Sequence, residues 1–106
     1  MASVSSVSVA SGVTATATGS GVTLEPAQSE YLVVVTTSGN TGNVDVILQH
    51  SPDGQNWTNK QTVATITTNG VTVVDLSGFI LAWVRASITI SSAATVGVQL
   101  YFRKQK

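Results

Sequence analysis

Between residues 80 and 90 every second position is apolar, with Ile80, Ala82, Val84, Ala86, Ile88 and Ile90 alternating against Trp83, Arg85, Ser87 and Thr89. A period of two sustained over this length marks a strand with one buried face. After the small-residue stretch 91–95 the alternation resumes, with Val96, Val98, Leu100 and Phe102 on one face and Gly97, Gln99, Tyr101 and Arg103 on the other. Symmetric closure of that loop predicts a hairpin with Ile90 opposite Val96, Ile88 opposite Val98, Ala86 opposite Leu100 and Val84 opposite Phe102. On its reverse face Arg85 would meet Tyr101, and Trp83 would lie near Arg103. That aromatic and guanidinium patch is the expected contact surface, so Trp83, Arg85, Tyr101 and Arg103 are the candidate interface residues.

The remaining elements follow from the same reading. A short strand is expected at 22–24, followed by a polar, proline-containing link at 25–30. Residues 31–37, YLVVVTT, start apolar on both faces, which predicts a central strand covered on both sides. The loop 38–43 is rich in Gly and Asn. It lacks the Gly-Lys-Ser/Thr of a phosphate loop and any helix to open, so it reads as a turn. Strand 44–50 places Val44, Val46 and Leu48 on one face. Ser51-Pro52-Asp53-Gly54 then reverses the chain, and Asn69-Gly70 predicts a second hairpin between strands at 58–68 and 71–76.

Residues 1–21 contain no charge, and Val4, Val7, Val9 and Val13 are irregularly spaced. The expectation is either an extended N-terminal arm over 1–21, which if ordered would lie on a neighbouring subunit and supply an edge strand there, or a disordered leader, followed by a sandwich domain over 22–106. No segment carries a helical period. Seven or eight short strands with regular turn signals predict an all-β chain folded as one antiparallel β-sandwich, jelly-roll or immunoglobulin-like.

Composition adds two constraints. The 106 residues include no cysteine, so packing alone must hold the fold. Charged residues make up 9% of the chain, five acids against five bases, whereas soluble domains average about 25%. Electrostatic capture of nucleic acid is not expected, and a surface this poor in charge predicts association with other subunits. No stretch approaches the ~20 apolar residues of a membrane span, and MASVSSVSVA has neither the basic start nor the apolar run of a secretory signal. Function is expected where the chain is made or in a particle assembled there.

Catalytic chemistry finds little material. His50 is the lone histidine, and Glu25, Glu30, Asp45, Asp53 and Asp75 are scattered along the chain. Neither a nucleophile with its base, a carboxylate pair nor a calcium loop is expected, so the chain reads as non-enzymatic with no cofactor and no metal. Trp57 is expected either to cap one end of the core or to serve, with Asn56 and Gln55, as a stacking platform for a sugar.

The turn Ser51-Pro52-Asp53-Gly54-Gln55-Asn56-Trp57 and the later Ala82-Trp83-Val84-Arg85-Ala86 together resemble small structural proteins of tailed bacteriophages, over about residues 31–103. The resemblance implies a virion component assembled in the host cytoplasm. Its expected role is a head decoration or cement protein, with a tail or fibre subunit next. The implied partners are the major capsid protein or other virion proteins and further copies of the chain, a trimer being favoured. The same two motifs are similar to those of discoidin-type, galactose-binding-like sandwiches, which imply a carbohydrate-binding module as the alternative.

Overall fold

Val, Ile and Thr alternating with Ser, Gln and Gly favour extended backbone whose two faces differ, and such strands must pair to satisfy their peptide groups. The computed structural model describes residues 3–24, 28–76 and 80–104 and bears this out. The strands are β1 (Ser3–Val13), β2 (Ala17–Thr18), β3 (Val22–Thr23), β4 (Gln28–Ser38), β5 (Val44–Ser51), β6 (Thr58–Ile66), β7 (Gly70–Asp75), β8 (Trp83–Ile90) and β9 (Thr95–Lys104). Sheet A has the order β1-β9-β4-β7 and sheet B the order β2-β8-β5-β6, with β3 also paired to β8. All pairings are antiparallel.

β2 and β3 add to the same edge of β8, where Ala17 pairs with Ile88 and Val22 with Val84. Counted as one interrupted strand, they make eight strands in the orders 1-8-3-6 and 2-7-4-5. This is the jelly-roll order, and it decides between the two topologies the sequence left open. Partners are nested: β1 with β9, β2 and β3 with β8, β4 with β7, and β5 with β6. Among the described strands, only β5 and β6 are paired neighbours along the chain joined by a single turn, at 51–57.

Three expectations are corrected by this order. β8 and β9 form no hairpin: β8 pairs with β5 in sheet B and β9 with β1 and β4 in sheet A. The segment 91–94 carries the chain from one sheet to the other, so the two apolar faces meet across the core instead of lying side by side. The Asn69-Gly70 turn likewise sends β6 and β7 to different sheets, with Gly70 at φ 118°. Residues 3–13 are no free arm but the edge strand β1, paired with β9 of the same chain from Ser3↔Lys104 to Val13↔Val96. Its register shifts between Ser8 and Ala10 and again before Val13, near Gly12 at φ 60°. Bulges of this kind break the alternation, which is why the valines looked unpatterned.

Strand ends also move. β4 begins at Gln28, within the expected link, and β9 runs to Lys104, one residue past the alternation that ends at Arg103. Residues 25–27, 77–79 and 105–106 lie outside the described residues.

The core is the space between the sheets. Val33 and Val35 of β4 and Val96, Val98 and Leu100 of β9 face Val44, Val46 and Leu48 of β5 and Val84, Ala86 and Ile88 of β8, all buried. Val9 of β1 joins them, and Val63 and Ile66 of β6 close the far side. The Tyr31 and Phe102 rings, 6.2 Å apart, seal one end, and burial pushes the Tyr31 hydroxyl up from its ordinary pKa. At the opposite end hydrogen bonds between loops hold the sheets together: Thr41 Oγ1 to Ser92 Oγ (2.9 Å), Asn43 N–H to Ser91 Oγ (2.7 Å) and Asn40 N–H to Asn69 Oδ1 (2.8 Å).

Candidate functional site

The turn at 51–57 is built from its side chains outward. Ser51 is buried, and its Oγ accepts the N–H groups of Asp53 (3.2 Å) and Gly54 (2.9 Å) while donating to Asp53 Oδ1 (3.0 Å). Asp53 Oδ1 also accepts the N–H groups of Gln55 and Asn56, both at 2.9 Å, and Oδ2 accepts the Asn56 side-chain amide at 2.7 Å. Those donors, the Asn56 and Gln55 backbone amides foremost, hold the Asp53 carboxyl far below the usual carboxylate range. Gly54 has φ 77°, and a Cβ there would sit 3.1 Å from the Trp83 ring. The turn therefore lies flat against Trp83, and only glycine meets both demands.

Trp57, returning from the turn, is half-buried with the Arg85 guanidinium carbon 4.4 Å from its ring centroid. A Cβ on Gly21 would lie 2.8 Å from the Trp57 ring and 3.3 Å from Trp83, so the link between β2 and β3 passes against both indoles. Arg85 Nε donates to Gln49 Oε1 at 2.7 Å, and Gln49 Nε2 donates to Asn59 Oδ1 at 2.9 Å. This row crosses β8, β5 and β6 on the outer face of sheet B, where Gln49 pairs with both Arg85 and Asn59 in register.

The expected patch is thus divided. Trp83 and Arg85 face outward from sheet B, whereas Tyr101 and the backbone of Arg103 belong to sheet A on the other side of the molecule. Tyr101 donates its hydroxyl to Gln99 Oε1 at 2.9 Å. Arg103 pairs through its backbone with Val4 and Ser29, and its side chain lies outside the described residues. Trp57 stays out of the buried core cluster, so it does not cap the core; it meets Arg85. Of its two companions, Asn56 is occupied by Asp53 and Gln55 gives its N–H to the turn. Gln49, Asn59 and Gly21 were not identified from sequence. The outward parity of Gln49 was readable, whereas Asn59 shares the parity of the buried Val63 and turns outward through the register shift between Leu48 and Gln49, and the meeting of all three depends on which distant strands become neighbours.

His50, at the end of β5, accepts the Leu81 N–H on Nδ1 (3.2 Å). Burial, and secondarily the charge of Lys60, lower its pKa. The imidazole is a neutral acceptor closing the approach to β8. Among the described residues no group of three His, Cys, Asp or Glu side chains could hold a metal, and no helix is long and apolar enough to cross a membrane.

The outer face of sheet A is different in kind. Val71 and Val73 on its edge strand β7 are 65% and 55% exposed, and Val73 pairs with the half-exposed Val34 while Asp75 pairs with Leu32. Nothing among the described residues covers the outer side of β4, contrary to the expectation from its doubly apolar start. A shallow hollow of about 290 Å³ lies beside it over β1 and β9, bordered by Ser8, Ala10, Thr36 and Gln99. Its floor is Gly97, where a Cβ would come within 2.9 Å of Thr36 Oγ1.

The class of protein is therefore a jelly-roll β-sandwich with one tryptophan–arginine face and one valine face. Residues 26–106, which include β4 through β9, match the family model described as a domain of unknown function (DUF6385), and the chain belongs to that family. β1, β2 and β3 lie outside the match. No curated protein matches the chain.

Proposed function

We propose that the chain is a non-enzymatic structural subunit of a virion, a decoration protein that cements a tailed-phage head by self-association and by contact with the major capsid protein. The observation that carries this reading is the outer face of sheet A. There the exposed Val71 and Val73 adjoin the half-buried Leu32 and Val34 in an apolar surface on which Asp75 is the one charge among the described side chains. Covering a valine or leucine contributes about 1.5–3 kcal/mol before the cost of ordering the partner. An edge strand of exposed valine without lysine is also the kind of edge that a free monomer ordinarily protects. The virion setting comes from the resemblance of residues 51–57 and 82–86. The jelly roll adds support, since capsid domains use it, although lectins use it as well.

The contact residues change with this reading. Tyr101 remains beside Leu32 on the assembly face, whereas Trp83 and Arg85 leave it. The alternative, a carbohydrate module reading sugars with Trp57, Asn56 and Gln55, has less support at that turn because Asp53 holds the Asn56 amide.

Light scattering after size-exclusion chromatography, over a wide concentration range, tests the proposal. A closed oligomer, a trimer being favoured, is expected, and the Val71→Lys/Val73→Lys variant should dissociate while keeping its melting temperature. A wild-type chain that stays monomeric throughout and does not cosediment with empty heads would overturn it.

A further inference from the structure

Arginine can only donate hydrogen bonds, so its bond to Gln49 fixes the orientation of that amide: oxygen toward Arg85, nitrogen toward Asn59. The Gln49 nitrogen in turn fixes Asn59 with its oxygen toward Gln49. Every link of the row therefore runs in one direction and leaves donors at the surface: the Arg85 Nη groups, the second Gln49 N–H and the Asn59 Nδ2 group. Among the described residues no carboxylate pairs with Arg85 and nothing accepts from its Nη atoms. Asp45, on the same face, accepts from Thr65 at 2.6 Å, and Asp53 is bound within its turn. The guanidinium is held in place by the Trp57 ring and by Gln49 before any ligand arrives.

We propose that this row on sheet B, Arg85, Gln49 and Asn59 beside Trp57, binds an acidic sugar, a hexuronate unit whose carboxylate meets Arg85 and whose hydroxyls meet the two amides. A row of positively charged and neutral donors selects a ligand rich in acceptors with a negative charge. A sugar acid offers carboxylate and hydroxyl oxygens on one rigid ring, matching donors spread over three strands about 4.8 Å apart. A peptide added to the open edge of β6 would reach Asn59 through its backbone but not Arg85 and Gln49, which lie on the interior strands β8 and β5. The inference does not rest on the assembly reading, which uses the opposite face of the sandwich.

The test is titration of the whole chain with a galacturonate trisaccharide, followed by amide chemical shifts and calorimetry. The neutral galactose trisaccharide and a glutamate-rich peptide serve as comparisons. The uronate should bind with shifts centred on Gln49, Asn59, Arg85 and the Trp57 indole, and the neutral sugar should bind about tenfold more weakly or not at all. Gln49→Glu is the decisive variant: it keeps the side chain's size and its bond to Arg85 but cancels the local charge, so uronate binding should fall at least about tenfold with the melting temperature maintained. Arg85→Lys should restore part of what Arg85→Gln loses. No uronate binding, or binding indifferent to Gln49→Glu and Arg85→Gln, would overturn the proposal. Tighter, Arg85-dependent binding of the peptide would overturn the sugar assignment in favour of an acidic protein partner. Loss of self-association in Val71→Lys/Val73→Lys with uronate binding intact would show the two faces to be separate.

Discussion

The outer faces of sheets A and B are made by the same alternation of strand residues, yet one is nearly featureless and the other is organised. On sheet A the outward side chains are small or apolar, Ser8, Gly97, Thr36, Val34 and Val73, and the Tyr101–Gln99 pair is a local feature of one strand. On sheet B, Trp57, Arg85, Gln49 and Asn59 come from a turn and three strands and hold one another in place. The difference lies in the crossing residues. The 51–57 turn folds back over sheet B and the 19–21 link passes beside it, whereas no loop among the described residues lies over β4. A strand's own pattern determines which side chains leave the core; the chemistry they then make is set by the segments that cross above them.

The largest effect should follow from disturbing what both faces share. Leu48→Ala removes a fully buried side chain between the sheets and should cost about 2–5 kcal/mol, measured by urea unfolding, with self-association and the Trp57 environment both weakened. An unchanged midpoint would place Leu48 outside the core. Next, Gly54→Ala forces a side chain into positive φ and against the Trp83 ring, at a cost of about 1–3 kcal/mol. Tryptophan fluorescence should shift while oligomer mass stays constant; a loss of mass would mean that the faces are coupled. On sheet A, Val71→Thr with Val73→Thr should alter folding by no more than ~0.5 kcal/mol and still weaken association. The smallest effect is a response to pH at the end of sheet B.

That response has a definite sign. The folded pKa of His50 is lowered by burial and then by Lys60, so the unfolded chain takes up the proton first. Its contribution is present above the unfolded value of about 6.5 and is lost as pH falls below that toward the folded pKa. A slight decline in melting temperature on going from neutral to mildly acidic buffer should appear in the wild type and vanish in His50→Asn. Asp53, also lowered, acts in a separate and more acidic window, its contribution present above the unfolded carboxylate pKa of about 3.9 and lost below it. A decline that persists in His50→Asn would assign the effect to another group.

Strand positions and the inward side of each were legible because alternation is a local signal: Val84, Ala86 and Ile88, and Val96, Val98 and Leu100, are all buried as their spacing required. Partners were not legible. Asn69-Gly70 and the 91–95 stretch favour reversal, but the same residues can carry a chain from one layer to the next, and only the competition among all strands for edges decides between these outcomes. Here β9 takes β4 and β1, and β8 takes β5 and the segments β2 and β3. The patch expected of Trp83, Arg85, Tyr101 and Arg103 failed for that reason. The turn motif at 51–57 was readable in shape, because Ser51, Asp53 and Gly54 act on their own neighbours. Arg85's partners were not, since Gln49 is 36 residues away.

Ser3 and Lys104 are paired across the edge of sheet A, so the two ends of the folded chain emerge side by side. A tug that separates them strains one rung of the β1–β9 ladder at a time, and the strand peels away at low force. Load spread over the flat of either sheet instead meets many rungs and the whole interior at once. The fold is accordingly strong when gripped by its faces and weak when hung by its ends.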